Sequence, residues 1–213
     1  MTVAVKTCGL NSAAAVDAAV EAGASLVGFV FFPASPRAVT PDAAGALAKR
    51  VPAGILKVGL VVDPDDATLA RILAAVPLDL LQLHGNESPE RVAEIKARFR
   101  LPVMKAVAIA GPADIDRARR YERVADRLMF DAKAPKSATR PGGNALAFDW
   151  ELLRGERWAV PWILAGGLTA ENVAEAVAIS GAATVDVSSG IEDAPGRKSP
   201  AKIRAFLATA AGL

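Results

Sequence analysis

The stretch TVAVKTCGLNSAAAVDAAVEAGASLVGFVF, residues 2–31, reads as one complete strand–helix–strand unit. Thr2–Thr7 is a short β-branched run of strand length. Ser12 then offers a helix cap ahead of an alanine-rich amphipathic segment to Ala22, and Gly23 stands where that helix should stop. A second β-branched run follows over Ser25–Phe31. Two strands joined through a helix, with no hairpin turn between them, pair in parallel.

The same alternation continues to the end of the chain. Further strands are expected at Leu56–Val62, Asp79–Leu83, Val103–Val107, Arg127–Ala132, Trp162–Ala165 and Thr184–Val187. Helices are expected at Pro41–Arg50, Pro64–Ala75, Pro89–Phe99, Pro112–Tyr121, Ala170–Ile179 and Pro200–Ala211, several opening on a capping residue followed by proline, as in Thr40-Pro41 and Ser88-Pro89. Eight such strands in 213 residues fit a single-domain (β/α)8 TIM barrel better than an open doubly wound sheet. No dinucleotide fingerprint or P-loop follows the first strand. The stretch Ala134–Ala147, rich in Pro, Gly, Ser and Thr, reads as a long loop that replaces much of the sixth helix, with Phe148–Leu153 as the remnant.

Composition narrows the function classes. A formal net charge of +2 gives no electrostatic reason to expect nucleic acid or a membrane surface as a partner. One cysteine excludes an internal disulfide, and one histidine excludes a multi-histidine metal cage. Neither a secretory signal nor a bilayer-spanning run is evident, so a cytoplasmic location is the expectation. Alanine-rich outer helices without an exposed aromatic stripe lean towards a monomer.

Parity along the strands places a set of polar groups inside the barrel. If Val3 and Val5 face the helices, Lys6 and Cys8 face inward; Gln82 and His84, Asp131 and Asp186 follow by the same argument on the fourth, sixth and eighth strands. All lie at or near the C-terminal strand ends, where barrel enzymes hold their chemistry. An ammonium from Lys6 beside Cys8 would favour thiolate and make the sulfur a usable base. After the seventh and eighth strands come Gly166-Gly167 and Ser188-Ser189-Gly190. Converging backbone N–H groups there, with a short helix starting after Gly190, would form a phosphate cradle. Arg37, in Ser35-Pro36-Arg37 after the second strand, is placed to grip a carboxylate bidentately at the rim. The ligand so described carries phosphate at one end and a second anion at the other.

At these residues the chain resembles phosphoribosylanthranilate isomerases along essentially its whole length. The resemblance runs through Val5-Lys6-Thr7-Cys8-Gly9, Gly28-Phe29-Val30-Phe31 with Ser35-Pro36-Arg37, Gln82-Leu83-His84-Gly85, Phe130-Asp131, Gly142-Gly143 with Phe148-Asp149-Trp150, Ala165-Gly166-Gly167-Leu168, and Val185 to Glu192 with Pro195-Gly196-Arg197-Lys198. It implies an Amadori rearrangement without metal or organic cofactor. Asp131 would be the general acid and Cys8 the general base; Arg37 would hold the anthranilate carboxylate, and Gly167, Ser189 and Gly190 the phosphate. An acid role needs Asp131 protonated, although a carboxyl group ordinarily titrates at about 4. Thr7, Ala165 and Ser199 depart from the family's commoner residues, and none is the proposed acid or base. A lysine Schiff-base aldolase on the same fold is the competing enzyme class, through Lys105 or Lys133. A non-enzymatic phosphosugar-binding barrel is the other rival.

Overall fold

The computed structural model describes residues 2–134 and 141–213. Eight parallel strands close into a barrel in chain order. They are β1 (Ala4–Cys8), β2 (Leu26–Val30), β3 (Leu56–Val61), β4 (Leu80–Leu83), β5 (Val103–Ile109), β6 (Arg127–Ala132), β7 (Trp162–Leu164) and β8 (Thr184–Val187). The helices are α1 (Ala13–Glu21), α2 (Pro41–Ala48), α3 (Asp66–Ala75), α4 (Pro89–Phe99), α5 (Pro112–Arg119), α6 (Val173–Ser180, after β7) and α7 (Pro200–Ala211). Among the described residues no α-helix joins β6 to β7; a single 3-10 turn at Trp150–Leu153 stands in its place, as the sequence suggested. Of the loop expected over Ala134–Ala147, residues 135–140 lie outside the described residues. Among the described residues, no helix is long and apolar enough to cross a membrane.

Local chemistry fixes the helix ends. The side chains of Ser12, Thr40, Asp65 and Ser88 accept hydrogen bonds from backbone N–H groups of the first turns of α1, α2, α3 and α4. Proline occupies the first turn of α2, α4, α5 and α7, where its missing N–H costs nothing. At Gly181 the chain leaves α6 in the left-handed region, with φ 73°.

The alternation of the strands makes two cores. Outward residues such as Val5, Leu81, Leu83, Leu128, Phe130, Val185 and Val187 pack under the helices. Inward residues Leu26, Val58, Leu80, Met104, Met129 and Ile163 fill the barrel, so its lower part is solid. Cys8, Val30 and Leu60 form a separate small apolar patch. The barrel closes where β1 pairs β8 with Lys6 opposite Asp186.

One element departs from the strand–helix alternation. An antiparallel hairpin of β9 (Glu192–Ala194) and β10 (Arg197–Lys198) intervenes between β8 and α7. Its turn is Pro195-Gly196, with Gly196 at φ 81°. Strands of three and two residues are too short to show an alternating pattern, which is why the sequence hid them.

A buried ion pair anchors the ends of β3, β4 and β5. Lys105 Nζ lies 2.8 Å from Glu87 Oε2 and donates to the carbonyls of Leu83 and Gly85, which flank His84. Glu87 in turn accepts from the backbone N–H groups of Gly85 and Asp63. Burial depresses the pKa of Lys105, and the Glu87 charge opposes that shift. Removing one partner of such a pair leaves an uncompensated charge. Glu87→Ala is therefore expected to lose ~3–5 kcal/mol in a urea melt, whereas the apolar double variant Glu87→Leu/Lys105→Met should lose clearly less. Equal losses in the two would mean that the pair is not the source of the effect.

Candidate active site

The barrel mouth holds two adjoining cavities. The larger has about 460 Å³ of empty space, and Cys8, Arg37, Gln82, His84, Asp131 and Asp186 all line it. The second, about 370 Å³, shares Asp131, Asp186 and Ser188 with it and extends to Gly166, Gly167 and Ser189. Strand parity thus brings the expected polar residues to one place. Gly190 is not among the lining residues of either cavity; it packs behind the cradle, against the backbone of Leu168 and Thr169.

Cys8 closes β1, 3% exposed, beside Val30 and Leu60. Below it, the fully buried Lys6 ammonium is 2.7 Å from Asp186 Oδ1. Gly28, opposite Cys8 on β2, leaves the space they occupy: a Cβ there would lie 3.1 Å from Cys8 Sγ and 3.2 Å from Lys6 Nζ. The Lys6 ammonium favours thiolate, but burial outweighs it. Burial pushes the Cys8 thiol above its ordinary range; the Lys6 charge opposes the shift, but Asp186 supports it. Burial disfavours the Lys6 charge too, yet Asp186 and Cys8 outweigh it and hold the ammonium charged. The lysine's charge is thus engaged first by Asp186.

Asp131, near the end of β6, accepts the backbone N–H of Ala132 on Oδ1 at 2.8 Å, and its Oδ2 is 3.2 Å from His84 Nε2. On the other side of the imidazole, Gln82 Nε2 is 3.1 Å from Nδ1. Gly142 covers this group: a Cβ on it would stand 2.5 Å from Asp131 Oδ2 and 2.8 Å from His84 Nε2. Only glycine lets the backbone after β6 approach so closely.

Arg37 is not the solvent-facing rim residue the sequence suggested. It is 4% exposed, and its fork is already filled by a carboxylate of this chain: Nε is 2.7 Å from Glu192 Oε1 and Nη2 is 2.8 Å from Oε2. Lys198 adds a second cation 2.9 Å from Glu192 Oε1 and also donates to Ser188 O at 2.8 Å. Burial works against the Glu192 charge, but the Arg37 hydrogen bonds and the Lys198 charge hold its carboxyl below the usual range. The guanidinium is thereby oriented, with Nη1 the nitrogen that Glu192 does not engage. Glu192 and Lys198 had no assigned role in the sequence reading. Their charge pattern was visible, but Glu192 meets Arg37 across 155 residues of chain.

The anion cradle differs from expectation in one respect. The expected short helix is a single 3-10 turn, Ser189–Ile191, that begins before Gly190 rather than after it. Gly167, at φ 61°, brings the β7 loop within 2.7 Å (from its would-be Cβ) of the Leu146 backbone, an approach that any side chain would prevent. The two rival lysines stand elsewhere. Lys105 has the parity of Val103 and Val107 and binds Glu87 on the helix side, because β5 presents Met104 and Ala106 to the interior. Lys133 is exposed, one residue beyond the end of β6, and lines neither cavity of the mouth.

The comparisons with known proteins agree along the whole chain. The family model described as N-(5'-phosphoribosyl)anthranilate (PRA) isomerase matches residues 5–209. N-(5'-phosphoribosyl)anthranilate isomerase of Paracoccus denitrificans is 61% identical over 210 residues, covering 99% of this chain and 98% of the relative. That of Paramagnetospirillum magneticum is 59% identical over 212 residues, covering 100% and 99%. The crystal structure of phosphoribosyl anthranilate isomerase from Thermotoga maritima superposes with a TM-score of 0.87 at 34% identity, over 99% of this chain and 100% of that one. A phosphoribosyl anthranilate isomerase solved in complex with reduced 1-(o-carboxyphenylamino)-1-deoxyribulose 5-phosphate gives 0.85 at 33%, with the same coverage. With its closed barrel and these full-length matches, the chain belongs to the N-(5'-phosphoribosyl)anthranilate isomerase family.

Proposed function

We propose that this mouth converts N-(5'-phosphoribosyl)anthranilate to 1-(2-carboxyphenylamino)-1-deoxyribulose 5-phosphate, the isomerisation step of tryptophan biosynthesis. The observation that carries the assignment of roles is that Cys8 from β1 and Asp131 from β6 line one cavity, beside the backbone cradle at Gly166, Gly167 and Ser189.

Asp131 gives a proton to the ribose ring oxygen. The C1'–O bond breaks as the anthranilate nitrogen lone pair forms C1'=N, and the cationic Schiff base acidifies C2'. Cys8 thiolate then takes the C2' proton; the electrons of that C–H bond form C1'=C2', and the C1'=N pair returns to nitrogen. The enolamine tautomerises to the ketone. Each placed proton transfer is worth roughly 10²–10⁴-fold. The phosphate is held by backbone groups at Gly167 and Ser189, with Gly190 setting the loop behind them. Arg37 reaches the anthranilate carboxylate through Nη1 alone, since Glu192 occupies the other face of the fork. The recognition is thus monodentate, with an arginine pre-aligned by a permanent partner.

With its pKa raised by burial, the thiol is protonated near neutral pH. The positive charge formed on the substrate during ring opening is then the added cation that favours thiolate when it is needed. Among the described residues the Schiff-base aldolase finds no support, because Lys6 is engaged by Asp186 and neither Lys105 nor Lys133 lines the mouth.

Three outcomes follow for an assay that follows the loss of anthranilate fluorescence. Cys8→Ser should lower kcat on the order of 10²–10⁴-fold with KM nearly unchanged, because a hydroxyl is a much poorer base; full activity would remove the thiol from the mechanism. Arg37→Ala should raise KM at least about tenfold; an unchanged KM would leave Arg37 a purely internal partner of Glu192. Alkylation of the sole cysteine by a neutral reagent should accelerate with pH and show no plateau below pH 9.0, the ordinary value above which burial moves it. A plateau near pH 7 would contradict the raised thiol.

A further inference from the structure

Gln82 and His84 stand two residues apart on one face of β4 and its extension, under Gly142. The half-turned amide would accept a hydrogen from His84 Nδ1, whereas the orientation with Gln82 Nε2 3.1 Å from Nδ1 pairs with the tautomer whose hydrogen is on Nε2. That hydrogen points at Asp131 Oδ2, 3.2 Å away. That orientation and tautomer suit an Asp131 carboxylate. In this orientation Gln82 Oε1 is buried without a hydrogen-bond partner among the described residues, while Nε2 has Met129 Sδ at 3.2 Å as well as the imidazole, so burial gives the amide a reason to turn. A buried amide oxygen left empty is costly to keep.

The loaded state needs the opposite pattern. Asp131 Oδ1 already accepts the Ala132 N–H, so Oδ2, facing His84, is the oxygen left to carry the proton. A carboxylic O–H donating to Nε2 moves the imidazole hydrogen to Nδ1, and an imidazolium beside a carboxylate also has a hydrogen there. Either form requires an acceptor where Gln82 Nε2 now stands, and a half-turn of the amide puts Oε1 in that place.

We propose that Gln82 and His84 are positioning residues that load the acid: the amide turned to accept from His84 Nδ1 holds the proton on the Asp131–His84 pair, and the amide donating to Nδ1 holds the spent carboxylate. The inference rests on Asp131 being the general acid. The loaded pair carries one proton more than the spent pair. That proton goes to the ring oxygen as the C1'–O bond breaks; water then takes the Nδ1 hydrogen and returns one to Nε2 as the amide turns back. Among the described residues, the other titratable or charged groups in the same cavity are Cys8 of β1, Arg37 beyond β2 and Asp186 of β8, with Lys6 paired to Asp186 and Glu192 to Arg37. On β5, Lys105 faces away, towards Glu87.

Because His84 is the sole histidine, its two ring nitrogens can be read by ¹⁵N NMR in the unmodified protein. The expected result is a hydrogen on Nε2 at high pH and one appearing on Nδ1 as pH falls, in step with the alkaline limb of the kcat profile. Gln82→Glu, which as a carboxylate can only accept, should move that limb up by about one pH unit, and Gln82→Leu, which cannot accept, should move it down by about one, with KM nearly constant. A Nδ1 that stays unprotonated at every pH of full activity would overturn the proposal without any substitution, and so would unmoved limbs in both variants. Asp131→Asn separates the two levels: retained turnover rejects the acid itself and the relay with it, whereas lost turnover combined with an unprotonated Nδ1 rejects the relay alone.

Discussion

Lys6 is fully buried, and its ammonium lies 2.7 Å from Asp186 across the seam where β1 meets β8, at positions that pair residue for residue. An ammonium taken out of water costs several kcal/mol unless it is paired, and the barrel supplies the partner only when it is closed in this register. The rest of the mouth depends on that seam. Cys8 lies two residues beyond Lys6, so alternation points it into the same interior, one layer higher, where Gly28 leaves room for both side chains. A slip of one residue would send the thiol under the helices and leave the ammonium without its carboxylate.

The same economy governs the other charges of the mouth. Arg37 and Lys198 share Glu192, as Lys6 has Asp186, so each of these cations has a carboxylate of the chain beside it. Among the described residues, Arg37 Nη1 and a set of backbone groups held by glycines are offered to an anionic substrate. Neither demands that a strongly solvated cation be stripped bare on binding, and Glu192 already orients the guanidinium. Such pre-orientation favours catalysis, because little reorganisation is left for the reacting step. Burial raises the thiol against the Lys6 charge, so in this account the base forms only when the substrate brings positive charge of its own.

Much of this could be read from residues alone. Period-two alternation assigned Lys6, Cys8, Gln82, His84, Asp131 and Asp186 to the interior, because each lies on or just beyond a short strand with clear apolar neighbours. Ser12, Thr40 and Ser88 marked helix starts because capping is local chemistry, complete within four residues. Contacts made across the fold were not legible. Arg37 was expected to wait for a substrate carboxylate at the rim, but Glu192 from the hairpin after β8 fills its fork. Lys105 was weighed as a Schiff-base lysine, yet its strand turns it outward to Glu87. The hairpin itself was missed, since five residues in two strands leave no periodicity to find. Nor could the pairing of Gly142 with Asp131 and His84 be foreseen, because close approach is a property of two distant segments together.

The central claim is that a thiol and a carboxyl group flank one sugar, with the phosphate on the glycine cradle. A crystal structure of this protein with reduced 1-(o-carboxyphenylamino)-1-deoxyribulose 5-phosphate tests it most directly. The account predicts phosphate oxygens on the backbone N–H groups near Gly167 and Ser189, the carboxylate on Arg37 Nη1, and the ribulose chain lying between Cys8 Sγ and the Asp131 carboxyl. A ligand whose sugar touches only one of those two side chains, or whose phosphate lies outside the loops after β7 and β8, would contradict it.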